Sequence, residues 1–181
     1  MDQSRGVLLL RDPLDDADAR RRTIEQMLRS ASEGGAGRRL LFVDFPEGEK
    51  CLPRAQAALW ELKQRCGWVC VAAERGCAGV ALSLAEQLPV DRVALIGGTP
   101  FSPLPAGGSA ARRRELKRMD GFARRNLALV VAELMLIDVP EDEMRRLVAG
   151  LGRNVSVRAP HGAGLDSLVE AWQITENNLL N

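Results

Sequence analysis

The chain alternates short, continuous apolar runs with longer amphipathic stretches, and this alternation restricts its fold more than any other feature. The apolar runs have the length of strands that are buried on both faces. Strands of this kind, joined by helices, indicate a parallel sheet covered on both sides. We therefore predict a three-layer, doubly wound α/β fold with about six parallel strands, forming one domain over residues 1–181. The predicted strands are Gly6–Leu10, Leu40–Phe45, Trp68–Ala73, Arg92–Ile96, Leu134–Ile137 and Val155–Arg158, and the predicted helices are Asp15–Ser32, Pro53–Gln64, Gly76–Leu88, Glu141–Leu151 and Leu165–Leu179.

One segment departs from this alternation. A Pro/Gly loop, Phe101–Gly108, opens into a basic stretch with seven Arg or Lys residues between Arg112 and Arg125. We predict one or two helices here, lying over the carboxyl edge of the sheet. The stretch is either a patch for anions or nucleic acid or a solvated helix face. The second interpretation is favoured, because the net charge of the whole chain is only +1 and aromatic residues that could stack on bases are scarce.

Composition excludes several other classes of protein. No apolar run approaches the ~20 residues needed to cross a bilayer, and the first residues lack a signal-peptide cleavage site, so we expect a cytoplasmic protein without a membrane partner. No glycine-rich phosphate loop occurs. The spacing of the four cysteines matches no common zinc pattern, so we expect reduced thiols and neither a metal nor another cofactor. These cysteines are Cys51, Cys66, Cys70 and Cys77.

Polar residues follow most of the predicted strands. The carboxyl ends of parallel strands meet at one edge of the sheet, and ligands bind there, where the strand order reverses. We therefore expect a site at this edge. The residues concerned are Arg11, Asp12, Asp44, Glu47, Glu74, Arg75, Thr99, Ser102, Asp138, Glu141, Asp142 and His161.

Over nearly its whole length the chain resembles a small α/β-hydrolase without a lid domain. Residues 71–85, VAAERGCAGVALSLA, resemble the strand, sharp turn and small-residue helix that carry the nucleophile in that family. LMLIDVPED resembles the turn that carries the acid, and VRAPHGAG resembles the histidine loop. The resemblance places Arg75 at the nucleophile position, Asp142 at the acid position and His161 at the histidine position. It also places residues 101–127 where lids are inserted.

The departures from the family fall on the groups that do its chemistry. An arginine cannot attack a carbonyl, because its guanidinium stays protonated. Arg11 and Asp12 stand where the family has His-Gly beside the oxyanion hole. The resemblance thus implies a degenerate hydrolase homologue that lacks the nucleophilic serine. We expect a non-catalytic binding or scaffold protein that keeps a pocket at the carboxyl edge for a small molecule, if it binds one, with Arg75, Arg11, Asp12 and Glu74 as the binding residues.

Alternatives stay open at this point, and so does the question of whether the protein is an enzyme. An active hydrolase could carry out esterase-type acyl transfer with Cys77 as nucleophile, supported by His161 and Asp142, if the turn is displaced by two residues. Arg75 could bind an anion together with the basic helices, or pair with an acidic neighbour and fill a vacated site. An exposed edge strand could also support a homodimer.

Overall fold

The structure is a computed structural model, and it describes residues 5–12, 38–44, 51–104, 107–127, 133–137, 139–151 and 156–158. Its strands are β1 (Arg5–Arg11), β2 (Arg38–Asp44), β3 (Trp68–Glu74), β4 (Arg92–Ile96), β5 (Glu133–Ile137) and β6 (Ser156–Arg158). They form one sheet in the order β2-β1-β3-β4-β5-β6, and every neighbouring pair is parallel. The prediction of an α/β fold built on a parallel sheet is confirmed.

The four strands β1, β3, β4 and β5 are buried along almost their whole length, which explains their unbroken apolar sequences. In β1 only the two terminal arginines, Arg5 and Arg11, are partly exposed. All five residues of β4 are buried. Successive side chains on a strand point to opposite faces. A strand without an exposed position therefore lies in a sheet that is covered on both faces.

Four helices and one short turn of 3₁₀ helix connect the described strands. They are α1 (Cys51–Arg65), the 3₁₀ turn (Arg75–Cys77), α2 (Ala78–Gln87), α3 (Ala110–Asn126) and α4 (Glu141–Gly150). The Ser109 side chain caps α3 by accepting a hydrogen bond from the Arg112 N–H at 3.1 Å. The first turn of α4 holds Glu141, Asp142 and Glu143, whose charges suit a helix N-terminus. In the described ranges, no helix is long and apolar enough to cross a membrane.

The core consists of two clusters, one on each face of the sheet. The larger cluster combines strand residues such as Leu8, Leu10 and Val71 with apolar residues from all four helices. The smaller cluster is made of the alternate strand positions, including Val7, Leu9 and Cys70. Burial raises the pKa of the Cys70 thiol to about 12, so this cysteine is an inert core residue. The predicted helices Asp15–Ser32 and Leu165–Leu179 lie outside the described residues.

The basic stretch of the sequence forms a single helix, α3, that packs directly on α2. The two helices are in close contact at Gly79, where a Cβ atom would lie 2.7 Å from the Asp120 backbone nitrogen. Because Gly79 has no side chain, the two helix backbones can come this near. Leu116, Met119 and Ala123 extend the contact into the larger core cluster. Helix α3 is therefore fixed beside the start of α2, next to the carboxyl edge of the sheet.

Candidate functional site

The strand order reverses between β1 and β3, and this reversal locates the candidate site. From β1 the chain passes to β2 on one side and then returns to β3 on the other side. Leu10 of β1 pairs with Ala73 of β3. The residues that follow these two positions therefore emerge together at the carboxyl edge, where open parallel sheets bind ligands. The structure places all four predicted binding residues here: Arg11, Asp12, Glu74 and Arg75.

Arg75 occupies the tip of the turn between β3 and α2. Glu74 ends the strand in an extended conformation, and Arg75 begins the 3₁₀ turn that leads into the helix. The Arg75 side chain is exposed. Its stem lies against Gly98, where a Cβ atom would come within 2.9 Å of Arg75 Cγ. Among the residues that the structure describes, no carboxylate forms an ion pair with Arg75, neither Asp12, Glu74 nor Asp142.

Asp12, just after β1, is fully buried and contacts Arg112 and Glu74 among the residues that the structure describes. Its side-chain Oδ1 accepts a hydrogen bond from Nη2 of Arg112, and the resulting ion pair is almost completely shielded from solvent. Its backbone N–H donates to Glu74 Oε2 at 2.8 Å. The N–H at the end of β1 is thus bonded to a carboxylate.

The ion pair leaves part of the Arg112 guanidinium without a partner. Arg112 is 1% exposed, and its Nε and Nη1 atoms meet no acceptor in the part of the chain that the structure describes. A buried charge is costly unless its hydrogen bonds are satisfied. Of the Arg112 guanidinium nitrogens, only Nη2 therefore has a partner among the described residues, and its bond to Asp12 joins α3 to the end of β1.

A second cluster of buried polar groups lies near the stem of Arg75, at Gly98. The Ser102 hydroxyl donates to Glu143 Oε2, and the Thr99 hydroxyl donates to the same oxygen at 3.3 Å. The Thr99 N–H in turn donates to Ser102 Oγ at 2.8 Å. Ser102 Oγ is also next to Gly98, at 2.7 Å from where a Cβ atom would lie. This cluster holds the loop after β4 against α4, beside the stem of Arg75.

Sequence reasoning named Thr99 and Ser102 but missed Glu143. It chose Asp142 instead, which is exposed in the first turn of α4, whereas Glu143 is buried. Consecutive helical residues point about 100° apart, so only one acid of the run can face the sheet edge. The apolar positions that follow on α4, among them the buried Leu147, share the Glu143 face at i, i+4 spacing. The spacing of these apolar positions in the sequence could have indicated that Glu143, and not Asp142, is the buried acid.

The residues of the hydrolase alternative are not brought together in the described structure. Cys77 is 0% exposed and belongs to the larger core cluster. Asp142 faces solvent. His161 lies outside the described residues. Over the described ranges, no group of three or more His, Cys, Asp or Glu side chains could hold a metal ion.

Comparison with known proteins finds similarity of fold. No family model matches the chain, and no curated protein matches it. Solved structures do match. One, from a study of the metagenome-derived lipolytic enzymes LipS and LipT, has a TM-score of 0.67 at 12% identity, covering 97% of this chain and 94% of its own.

Two further structures agree with this match. An esterase from Pyrococcus furiosus superposes with a TM-score of 0.60 at 13% identity, covering 99% of this chain and 83% of its own. Carboxyl esterase 2 from Tuber melanosporum superposes with a TM-score of 0.54 at 15% identity, covering 94% of this chain and 73% of its own. Identities this low carry information on the fold alone. The chain therefore has the parallel sheet and overall fold of the α/β-hydrolase esterases and lipases.

Proposed function

We propose that this protein is a non-catalytic homologue of the α/β-hydrolases that binds a ligand at the carboxyl edge of its sheet. The observation that carries the proposal is Arg75, exposed at the tip of the turn between β3 and α2. In the resembling enzymes this tip presents the nucleophile. A guanidinium remains protonated at any working pH, so it cannot perform that attack.

The hydrogen bonding of Asp12 and Glu74 supports the same proposal independently. The Asp12 N–H is donated to the Glu74 carboxylate, so it does not point at a substrate oxygen. Both carboxylates are buried at the reversal point. An oxyanion that formed beside the Asp12 N–H would meet the Glu74 carboxylate where the transition state needs a hydrogen-bond donor. The replacement of the nucleophile is thus accompanied by an unfavourable electrostatic environment.

The ligand that this edge suits best is anionic. Arg75 projects from the 3₁₀ turn that leads into the ten-residue helix α2, whose dipole favours negative charge at that end. Guanidinium groups bind carboxylates and phosphates through paired hydrogen bonds. Asp12 and Glu74 would hold the turn in place through their hydrogen bond, and Arg11 would lie at the edge of the binding site. In this proposal residues 1–181 form one domain, and residues 101–127 occupy the lid position.

The absence of catalysis can be tested with an activated ester. We expect wild-type protein to hydrolyse p-nitrophenyl acetate at the rate of the denatured protein control. The variants Cys77→Ala, Ser102→Ala and His161→Ala should give the same background rate. A wild-type rate well above background that is abolished by Cys77→Ala or His161→Ala would establish the hydrolase alternative instead. That alternative requires the Cys77 thiol to leave the core cluster.

Ligand binding can be tested by thermal shift against phosphorylated and carboxylated metabolites. We expect at least one anion to raise the melting temperature of the wild type, and Arg75→Gln to remove most of that shift. Arg146→Gln is the matched control, because Arg146 is an exposed arginine on α4. Equal shifts in the Arg75→Gln and control variants, or no shift with any anion, would contradict binding at this edge.

A further inference from the structure

The outer face of α3 concentrates positive charge. All six of its exposed Arg and Lys side chains lie on one side of the helix. At 100° and 1.5 Å per residue they fall within about 140° of arc over roughly 18 Å of helix length. The opposite side is buried, with Leu116, Met119 and Ala123 packed on the core. We define the cationic face as Arg113, Arg114, Lys117, Arg118, Arg124 and Arg125.

The net charge of the whole chain, only +1, does not show this local concentration of positive charge. Helix α3 has seven Arg or Lys residues and two acids, which gives it a charge of +5. The rest of the chain, with 18 Arg or Lys and 22 Asp or Glu, carries −4. The sequence-based expectation against a nucleic-acid partner used the sum of these two values. The structure separates them, because α3 presents its cations together on one surface.

Contacts within the protein engage only part of the cationic face. Arg118 pairs with Glu115 at 2.7 Å. Arg124 donates to the Pro100 carbonyl oxygen and stacks over the Phe101 ring, with its guanidinium carbon 5.1 Å from the centroid. Across the described ranges, the four remaining cations form no ion pair with an acidic side chain. These four are Arg113, Arg114, Lys117 and Arg125.

The composition of the face identifies the partner that it suits. The only other residues on its arc are Ala110 and Gly121, so it offers no aromatic ring on which an unpaired base could stack. The apolar side of α3 is already buried on α2, so it cannot enter a membrane interface. The face has no Trp or Tyr and no apolar side chain larger than alanine, so its arginines lack the apolar surroundings in which the hot spots of protein–protein contacts form. Recognition here depends on charge alone.

Five of the six cations are arginines, and the planar guanidinium binds phosphate oxygens in pairs. A duplex presents such phosphates at regular intervals while hiding its bases. We propose that the cationic face of α3 binds the phosphate backbone of double-stranded nucleic acid without reading its sequence. This activity is separate from the proposed anion site, because Arg75 is not part of the face.

Salt dependence provides the first test. Fluorescence anisotropy with a fluorescein-labelled duplex DNA of arbitrary sequence measures the association constant at several KCl concentrations. Four phosphate contacts predict a slope of about −3.6 for log K against log salt. Two duplexes of unrelated sequence should bind equally. A slope near zero, no binding at the lowest salt, or a strong preference for one sequence would overturn the proposal.

A charge-matched pair of variants provides the second test. The first combines Arg113→Gln, Arg114→Gln, Lys117→Gln and Arg125→Gln. The control combines Arg54→Gln, Arg65→Gln, Arg145→Gln and Arg146→Gln, which removes four exposed charges from α1 and α4. We expect the first to lose on the order of tenfold or more in affinity and most of its salt slope, and the control to stay within about twofold of wild type.

Equal losses in both variants would mean that only net charge matters, which would overturn the assignment to α3. Glutamine is a good helix former, and circular dichroism checks that both variants fold. Two competing polyanions complete the design, namely phosphatidylserine-containing vesicles and poly-glutamate. Tighter binding of either one than of the duplex would overturn the nucleic-acid partner, in favour of a lipid surface or an acidic protein. The results of the esterase assay and of the Arg75 thermal-shift assay do not depend on any of these outcomes.

Discussion

At the scale of single residues, Gly79 controls how closely α3 approaches α2. We expect Gly79→Ala to destabilise the protein by about 1–3 kcal/mol, because the added methyl group would overlap the backbone of Asp120. A Cβ atom at this position would lie 2.7 Å from the Asp120 nitrogen and 2.8 Å from its Cα. Backbone atoms in a helix cannot move aside as a flexible side chain can. Urea unfolding measures the change.

The control for this prediction is Gly121→Ala. Gly121 follows Asp120 directly, yet a Cβ atom there meets nothing within 4 Å. Replacing an unconstrained glycine inside a helix by alanine removes an entropic cost of about 0.5–1 kcal/mol. Gly121→Ala should therefore stabilise the protein. If the two substitutions had similar effects, the close contact between the helices would not exist as described.

Asp120 itself should make the stability of the protein depend on pH. Burial raises the pKa of its carboxyl group to about 7 from the ordinary value of 3.8, although Arg124 and the Gly79 N–H, which favour the ionised form, lower it somewhat. The folded protein thus holds this proton more tightly than the unfolded chain does. The resulting stabilisation is complete below pH 3.8 and is lost as the pH rises towards 7.

Asp120→Asn isolates this contribution. The amide has nearly the same shape but no charge to desolvate. The free energy of unfolding of the variant should therefore exceed that of the wild type by more at pH 8 than at pH 5. Urea denaturation at both pH values gives the comparison. Asp142→Asn is the control, since Asp142 is exposed and its substitution should have the same effect at both. A pH-independent difference for Asp120→Asn would show that the carboxyl is already ionised in the folded state.

At the scale of secondary-structure elements, a buried ion pair fixes α3 to the end of β1. Arg112→Met leaves the Asp12 carboxylate buried without its cation, which should cost about 3–5 kcal/mol. Asp12→Asn leaves the Arg112 charge in the same position and should also be strongly destabilising. The double variant removes both charges and should cost clearly less than the sum. Urea unfolding of the four proteins gives the coupling free energy, and additive costs would contradict the pair.

The loop after β4 is held to α4 by Glu143. Glu143→Ala removes the acceptor for the hydroxyls of Ser102 and Thr99, and we expect it to cost about 1–3 kcal/mol. Asp142→Ala, one residue earlier on the exposed side of the helix, should change stability by less than about 0.5 kcal/mol. Thermal unfolding at neutral pH distinguishes the two. The reverse order would mean that Asp142 is the acid that faces the site.

Most of these elements were predictable from sequence, and the reason is burial. A strand without exposed positions, such as β4, shows its full length as an apolar run, and the predicted Arg92–Ile96 coincides with the observed strand. The start of α2 was less certain, because the 3₁₀ turn and the helix share the same small residues. Pairings between distant positions, such as Asp12 with Arg112, have no local pattern and could not be foreseen.

At the scale of the whole molecule, the site is a property of the sheet rather than of any one motif. Strand order brings the ends of β1 and β3 together, and the sequence could therefore place Arg11, Asp12, Glu74 and Arg75 at one edge. The sequence could not show which groups the acids at this edge bond to. Glu74 accepts from the Asp12 N–H, and Asp12 pairs with an arginine from a helix a hundred positions away.

This arrangement predicts that placing a hydroxyl at the tip of the turn will not by itself produce catalysis. Arg75→Ser would present a hydroxyl at the tip of the turn, as the resembling enzymes do. The Asp12 N–H would still be bonded to the Glu74 carboxylate, so it would not be available to donate to a developing oxyanion. We expect p-nitrophenyl acetate hydrolysis to remain at the wild-type background. Activity gained by Arg75→Ser alone, and lost again in Arg75→Ser/His161→Ala, would show that the rest of the catalytic machinery is intact and that only the nucleophile is missing.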